Sequence, residues 1–327
     1  MDAEIERAVE VLRRGGLIGL PTETVYGLGA DAENAAAVRR IFAAKGRPVD
    51  HPVIVHLGDS SLVDRYARAV PAVARRLAER FWPGPLTLIL SRSARVPDEV
   101  TGGADTVGLR VPDHPVALAL LSAFGRGVAA PSANRFGRIS PTRAEHVREE
   151  LGDLVEVVLD GGPCLVGVES TIVALSGSRP LLLRPGAIGA AALAEVIGEM
   201  PLMPEAVAEV PRAPGSLAAH YAPSTPLELL PFEALSARAA ELVARGLRVA
   251  VLARHARDHK LPPAAIWRVE PGDAAGFARA LYGALRALDA AGVDRILVER
   301  VPEDAAWIAV ADRLRRAATG AAPDEEP

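Results

Sequence analysis

Along the first two-thirds of the chain, short runs of aliphatic and β-branched residues alternate with stretches whose apolar positions recur every three or four residues. That pattern predicts strands interleaved with helices. Strands are predicted at 17–20, 52–57, 86–90, 106–111, 127–130, 155–159, 170–175 and 181–184, with helical periods at 2–14, 34–44 and 142–151. Each of these helical runs meets a glycine (Gly15 and Gly16, Gly46, Gly152), the residue that most readily takes the left-handed conformation closing a helix. The reading is an α/β (α+β) domain over 1–202, built on a mixed sheet. From 203 to 225 the period fails among prolines and small residues, which predicts a linker. Beyond it, strands at 227–230, 248–252, 266–269 and 295–298 alternate with helices at 232–245, 274–291 and 303–318, predicting a small parallel α/β domain over 226–320. An acidic tail, 321–327, follows.

Composition narrows the class. At 327 residues the chain is longer than one core comfortably organises, in keeping with two domains. Half of it is hydrophobic, yet no uninterrupted apolar run reaches the roughly 18 residues of a membrane-spanning helix, so no membrane association is expected. The opening residues are acidic and amphipathic rather than basic then apolar, and the chain has a single cysteine, Cys164; the expectation is a cytoplasmic protein without disulfides. A formal net charge of −4 supplies no broad positive field for a polyanion, so stable nucleic-acid binding is not expected. Of the 37 basic residues only Lys45 and Lys260 are lysines, so a position that keeps lysine invites a chemical reason.

Several strand exits carry polar clusters, as ligand sites in open α/β sheets do. The first strand runs into PTETVYGLGADA (21–32), which serves either a ligand or a tight turn needing Gly27 and Gly29. KGRPVDHPVIVH (45–56) sets Lys45 and Arg47 just past a helix, where a compact cation and a planar one suit either a triphosphate or the helix's own carbonyl end. His56 at the next strand exit either orients a polar substrate group or is a satisfied structural histidine. The segment 81–87 is read as packing and a rigid turn. In TVGLRVPDHP (106–115), Arg110 interrupts an apolar strand, and a buried guanidinium needs an anion, whether a substrate carboxylate or an internal acid. APSANRFGRISPT (130–142) offers Ser132, Asn134 and Ser140 beside Gly137, in a vocabulary that nucleotide loops share with ordinary ones. VESTIV (168–173) and LLLRPG (181–186) add Ser170 and Arg184 on neighbouring strands. No metal-ligand spacing of His, Cys, Asp and Glu is visible.

Taken in order, these motifs, followed by PGSLAAHYAP (214–223), resemble the YrdC-like family in the two-domain form of the threonylcarbamoyl-AMP synthases. The resemblance implies a twisted mixed sheet with a concave site, followed by a Rossmann-like domain. It implies condensation of L-threonine, bicarbonate and ATP into threonylcarbamoyl-adenylate and pyrophosphate, for tRNA modification through downstream transfer proteins, with Mg2+ arriving on the ATP. By matching positions it implies L-threonine contacts at Thr24, His56, Arg110, the Ala130 backbone and Ser170. It also implies ATP contacts at Arg47, His51, Thr106, Ser132, Ser140, Arg184 and Tyr221, with Lys45 and Arg47 as the catalytic cations. His51 departs from the family's usual asparagine and supplies one hydrogen bond where the amide supplies two. The alternative from another class is an RNA-binding or ribosome-associated module of the same fold.

Overall fold

The computed structural model describes residues 2–177, 179–207, 210–215, 217, 219–256 and 265–320; Lys260 and the acidic tail lie outside them. The chain divides into two compact units, one of residues 1–136 with 141–216 and one of residues 137–140 with 217–327. The stretch 203–225 therefore falls on both sides of a boundary at 216, and Gly137–Ser140 joins the second unit.

The sheet of the first unit has, in spatial order, Leu181–Arg184, Thr171–Ala174, Leu86–Arg92, Thr106–Arg110, Ile54–His56, Val128–Ala129, Gly27–Asp31, Ile18–Leu20 and Val157–Val158, with Ala67–Ala69 added beside Leu86–Arg92. Parallel and antiparallel neighbours are mixed, as the sequence pattern requires. Gly27–Asp31, read from the sequence as a loop or turn, is a strand. Its glycines serve close approach, because a Cβ on Gly27 would sit 3.0 Å from that of Ala130 and one on Gly29 would sit 2.9 Å from Val128.

Successive strand residues point to opposite faces, and here the two faces divide their work. Val55, Leu88, Leu90, Val107, Leu109 and Val173 join the main core with Val38, Ile41 and Phe42 of helix Ala35–Lys45 and Leu77 of helix Ala72–Phe81. The interleaved residues are Ile54, His56, Thr87, Ile89, Thr106, Gly108, Arg110 and Ile172. At one end of that second face, helices Ala3–Arg13 and Pro115–Phe124 pack on Ile18, Leu20, Val128 and Ala130. At the other, Leu202, Val207 and Ala213 lie against Ile54, Ile89, Ile172 and Ala174. Polar side chains occupy the ground between these coverings.

Local signals fix the helix ends that matter. Asn34 caps Ala35–Lys45 by accepting from the Ala37 amide, and Gly46 at φ 62° closes it, so the helix delivers Lys45 and Arg47 together at its end.

In the second unit Leu227–Leu230, Arg295–Glu299, Val249–Ala253 and Ile266–Val269 form an all-parallel sheet in that order, with helices Phe232–Ala244, Ala274–Ala290 and Ile308–Gly320. The last helix starts later than the 303 read from the sequence. Asp304 accepts from the amides of Ala306 (side chain, 3.0 Å) and Trp307 (backbone, 3.0 Å), and this turn takes up the expected first turn of helix.

Candidate active site

Arg110 is the centre of the polar face. It ends its strand opposite His56 in parallel register, and its side chain is 3% exposed. Its Nε donates to the Gly84 carbonyl (3.1 Å), Nη1 donates to the Thr24 hydroxyl (2.9 Å), and Nη2 is ion-paired with Glu23 Oε1 (2.5 Å). The anion that a buried guanidinium demands is thus present inside the protein, and it stands beside the hydroxyls of the PTET turn. Thr22 fixes that turn: its Oγ1 donates to the Val25 carbonyl (2.6 Å), bonds the Thr24 hydroxyl (2.9 Å), and accepts from the Thr24 and Val25 amides. His56 is 4% exposed, and burial, then the neighbouring Arg110 cation, push its pKa down to about 3, so it is a neutral imidazole at physiological pH. Among the described residues its Nδ1 has no hydrogen-bond partner.

The polar row continues across the sheet. Thr87, next to Arg110 in the antiparallel register, bonds the Ser170 hydroxyl (2.8 Å). Arg184 donates from Nε to the Ser170 carbonyl (3.0 Å), from Nη2 to its hydroxyl (3.1 Å) and from Nη1 to the Pro214 carbonyl (3.0 Å). Thr24, Glu23 and Arg110 thus form one bonded group and Thr87, Ser170 and Arg184 another, and strand pairing sets both beside His56 on one buried face; Glu23 and Thr87 are residues that motif reading passed over. Ala130 borders it, but its amide already donates to Ile54 (2.9 Å), so a ligand contact there falls to its carbonyl.

A second group gathers at the entry of strand Ile54–His56. Lys45 is 2% exposed, and its Nζ donates to the carbonyls of Ser132 (2.5 Å) and Asn134, tying helix Ala35–Lys45 to the APSAN loop. Burial, reinforced by Arg47 and opposed by Glu150, holds its pKa well below the usual lysine value. Arg47 donates to the Pro52 carbonyl (2.8 Å) with its guanidinium over Phe42. His51 meets Phe136 edge-on at 5.6 Å, and burial, then Arg47, lower its pKa. Ser132 bridges to Gly27, and Thr106 lies two residues before Gly108 on the face that carries Arg110. Pro52 lies two residues before strand Ile54–His56 and His56 at its end.

Ser140 and Tyr221 belong to the second unit. The Ser140 carbonyl accepts from Arg286 (3.5 Å). Tyr221 holds φ at 63°, is 1% exposed, stacks on Tyr282 at 5.8 Å and lies under the Arg313 guanidinium at 5.3 Å. Among the described residues no group of three His, Cys, Asp or Glu can hold a metal ion, and no helix is long and apolar enough to cross a membrane.

Comparison with known proteins places the arrangement. Residues 10–186 match the family model for Sua5, YciO and YrdC, described as telomere recombination, and residues 188–319 match the model described as the C-terminal domain of threonylcarbamoyl-AMP synthase. The chain is 42% identical over 324 residues to the threonylcarbamoyl-AMP synthase of Pyrococcus abyssi, spanning 96% of this chain and 94% of that one. It is 40% identical over 333 residues to that of Bacillus subtilis, spanning 98% and 94%. The crystal structure of P. abyssi Sua5 complexed with L-threonine superposes with a TM-score of 0.88 at 40% identity, covering 97% of this chain and 95% of that one.

Proposed function

Because this chain belongs to the threonylcarbamoyl-AMP synthase family, we propose that it is a nucleotidyltransferase that condenses L-threonine, bicarbonate and ATP into threonylcarbamoyl-adenylate and pyrophosphate. The observation that carries the reading is the Arg110 group: a buried cation, hydroxyls and a neutral imidazole on one sheet face, with Arg47 bonded just before the strand that His56 ends.

Arg110 and Thr24 hold the threonine carboxylate, and Ser170 and His56 orient the rest of the amino acid. Its amino group, once the ammonium has released a proton to solvent, attacks the carbon of bicarbonate, forming the C–N bond of a carbamate as water leaves. A carbamate oxygen then attacks the α-phosphorus of ATP, and the bond from that phosphorus to the bridging oxygen breaks, with the electron pair leaving on pyrophosphate. Arg47 offsets the charge that develops there, and His51, Thr106, Ser132 and Arg184 contact the nucleotide. Lys45 spends two of its three N–H groups on the Ser132 and Asn134 carbonyls, so it shapes the nucleotide loop and has one donor left for phosphate. Positioning and electrostatics suffice, with no covalent enzyme intermediate. The described residues offer no resident metal cluster, and Mg2+ is assigned to the substrate as the counter-ion of ATP. The product goes to proteins that transfer the threonylcarbamoyl group to tRNA in the cytoplasm.

The test is pyrophosphate release from ATP with threonine and bicarbonate omitted in turn. Release that needs both is expected; release indifferent to threonine refutes the assignment.

A further inference from the structure

The reaction above gives Glu23 no task. It is 4% exposed, and its side-chain carboxylate lies 2.5 Å from Arg110 Nη2, yet among the described residues neither of its oxygens has a hydrogen-bond partner of normal geometry. Its backbone is held on both sides, by the Thr22 turn and by the Val166 amide donating to the Glu23 carbonyl (2.7 Å), so the side chain starts from a fixed point on the face that carries Arg110.

A buried carboxylate normally spends its lone pairs on several donors, and one that does not is an acceptor still waiting for them. Here the waiting acceptor stands beside a guanidinium on the face where the amino acid is assigned. Side by side, a fixed cation and a fixed anion with no net charge match an amino-acid zwitterion. The guanidinium takes the carboxylate, the carboxylate takes the ammonium, and the loaded site carries no net charge into a water-poor interior. An acid lacking the amine satisfies only half of the pair and leaves Glu23 facing a second anion.

We propose that Glu23 recognises the α-ammonium group of the substrate, so that the site selects a zwitterion rather than a carboxylic acid. This rests on the assignment of L-threonine as substrate. It adds a recognition residue to the PTET turn and gives the Glu23–Arg110 pair a reason to be ionic.

The experiment is calorimetric titration of the wild-type full chain, and of Glu23→Gln and Glu23→Asp, with L-threonine and with 3-hydroxybutyrate, which keeps the carboxylate and hydroxyl but lacks the amine. Charge-assisted hydrogen bonds of this kind are worth about tenfold to a hundredfold in affinity. The wild type is expected to prefer threonine by that factor. Glu23→Gln is expected to lose threonine affinity by a similar factor while gaining affinity for 3-hydroxybutyrate, and Glu23→Asp to keep part of the preference. The inference is overturned if 3-hydroxybutyrate binds the wild type as tightly as threonine, or if Glu23→Gln retains the full preference. Should Glu23→Gln fail to fold with Arg110 left unpaired, the two ligands against the wild type still decide, with Glu23→Asp as the second variant. Absence of threonine binding by the wild type removes the substrate assignment itself, an outcome distinct from threonine binding that ignores Glu23.

Discussion

Single side chains on the polar face are held by directional bonds, and substitutions there should separate charge from shape. Arg110→Lys keeps a cation but loses the fork that reaches Gly84, Thr24 and Glu23 at once. The expected outcome in the pyrophosphate assay is a threonine KM raised about tenfold, with the ATP KM nearly unchanged. His56 makes a pH prediction whose sign is fixed by burial. Its pKa falls from the ordinary histidine value of 6.5 to about 3 on folding, so between those values the unfolded chain binds a proton that the folded chain refuses. Stability from this residue is fully present above about pH 6.5 and is lost as pH falls toward 3. Urea unfolding at pH 7 and pH 4.5 should show the loss, and His56→Gln should flatten the slope. At this scale the sequence was half legible. Arg110 announced its need for an anion by interrupting an apolar strand, but Glu23 lies 87 positions away, and nothing local in PTET says which cation its carboxylate will meet.

Elements were most legible where pattern and caps agreed. Leu181–Arg184, Leu227–Leu230 and Ile266–Val269 lie where alternation predicts them, and helix Ala35–Lys45 runs between its asparagine cap and its glycine stop. Gly27–Asp31 was hidden because glycines weaken a strand's local signal, while the reason for them, the closeness of Ala130 and Val128, is a property of the assembled sheet. Gly186 is a similar case with a consequence for the site. A Cβ there would lie 2.4 Å from the Thr171 amide nitrogen and 2.7 Å from the Ser170 carbonyl carbon, backbone that cannot give way without moving the Ser170 hydroxyl off Thr87 and Arg184. Gly186→Ala is therefore expected to cost about 1–3 kcal/mol in denaturant unfolding and also to raise the threonine KM. A stability loss with unchanged kinetics would mean that the site tolerates the shift.

At the scale of the whole chain, two α/β units could be read from composition and period, but the position of the boundary could not. Prolines and small residues look alike whether they connect bodies or cross a sheet. Here residues 202–207 and 210–214 do the second: Leu202, Val207 and Ala213 pack on the polar face's apolar margin, Arg212 pairs with Asp50 at 3.2 Å, and the Pro214 carbonyl accepts from Arg184. Ending the chain after Pro211 should remove the last three contacts along with the second unit. The expected result is that threonine- and bicarbonate-dependent pyrophosphate release is largely abolished, even where circular dichroism reports a folded first unit. Full turnover in that truncation would mean that the crossing segment is dispensable.

The division of labour between the two faces of the first sheet carries an evolutionary constraint. Arg110 sits between Leu109 and Val111, Thr87 between Leu86 and Leu88, and His56 between Val55 and Leu57, so each reactive group shares its strand with flanking residues that hold the protein together. Inserting or deleting one residue in such a strand would turn its polar group into the greasy interior and its aliphatic neighbours toward the polar face. Length changes survivable within these strands must come two residues at a time, which leaves lineages to diversify this enzyme through its loops.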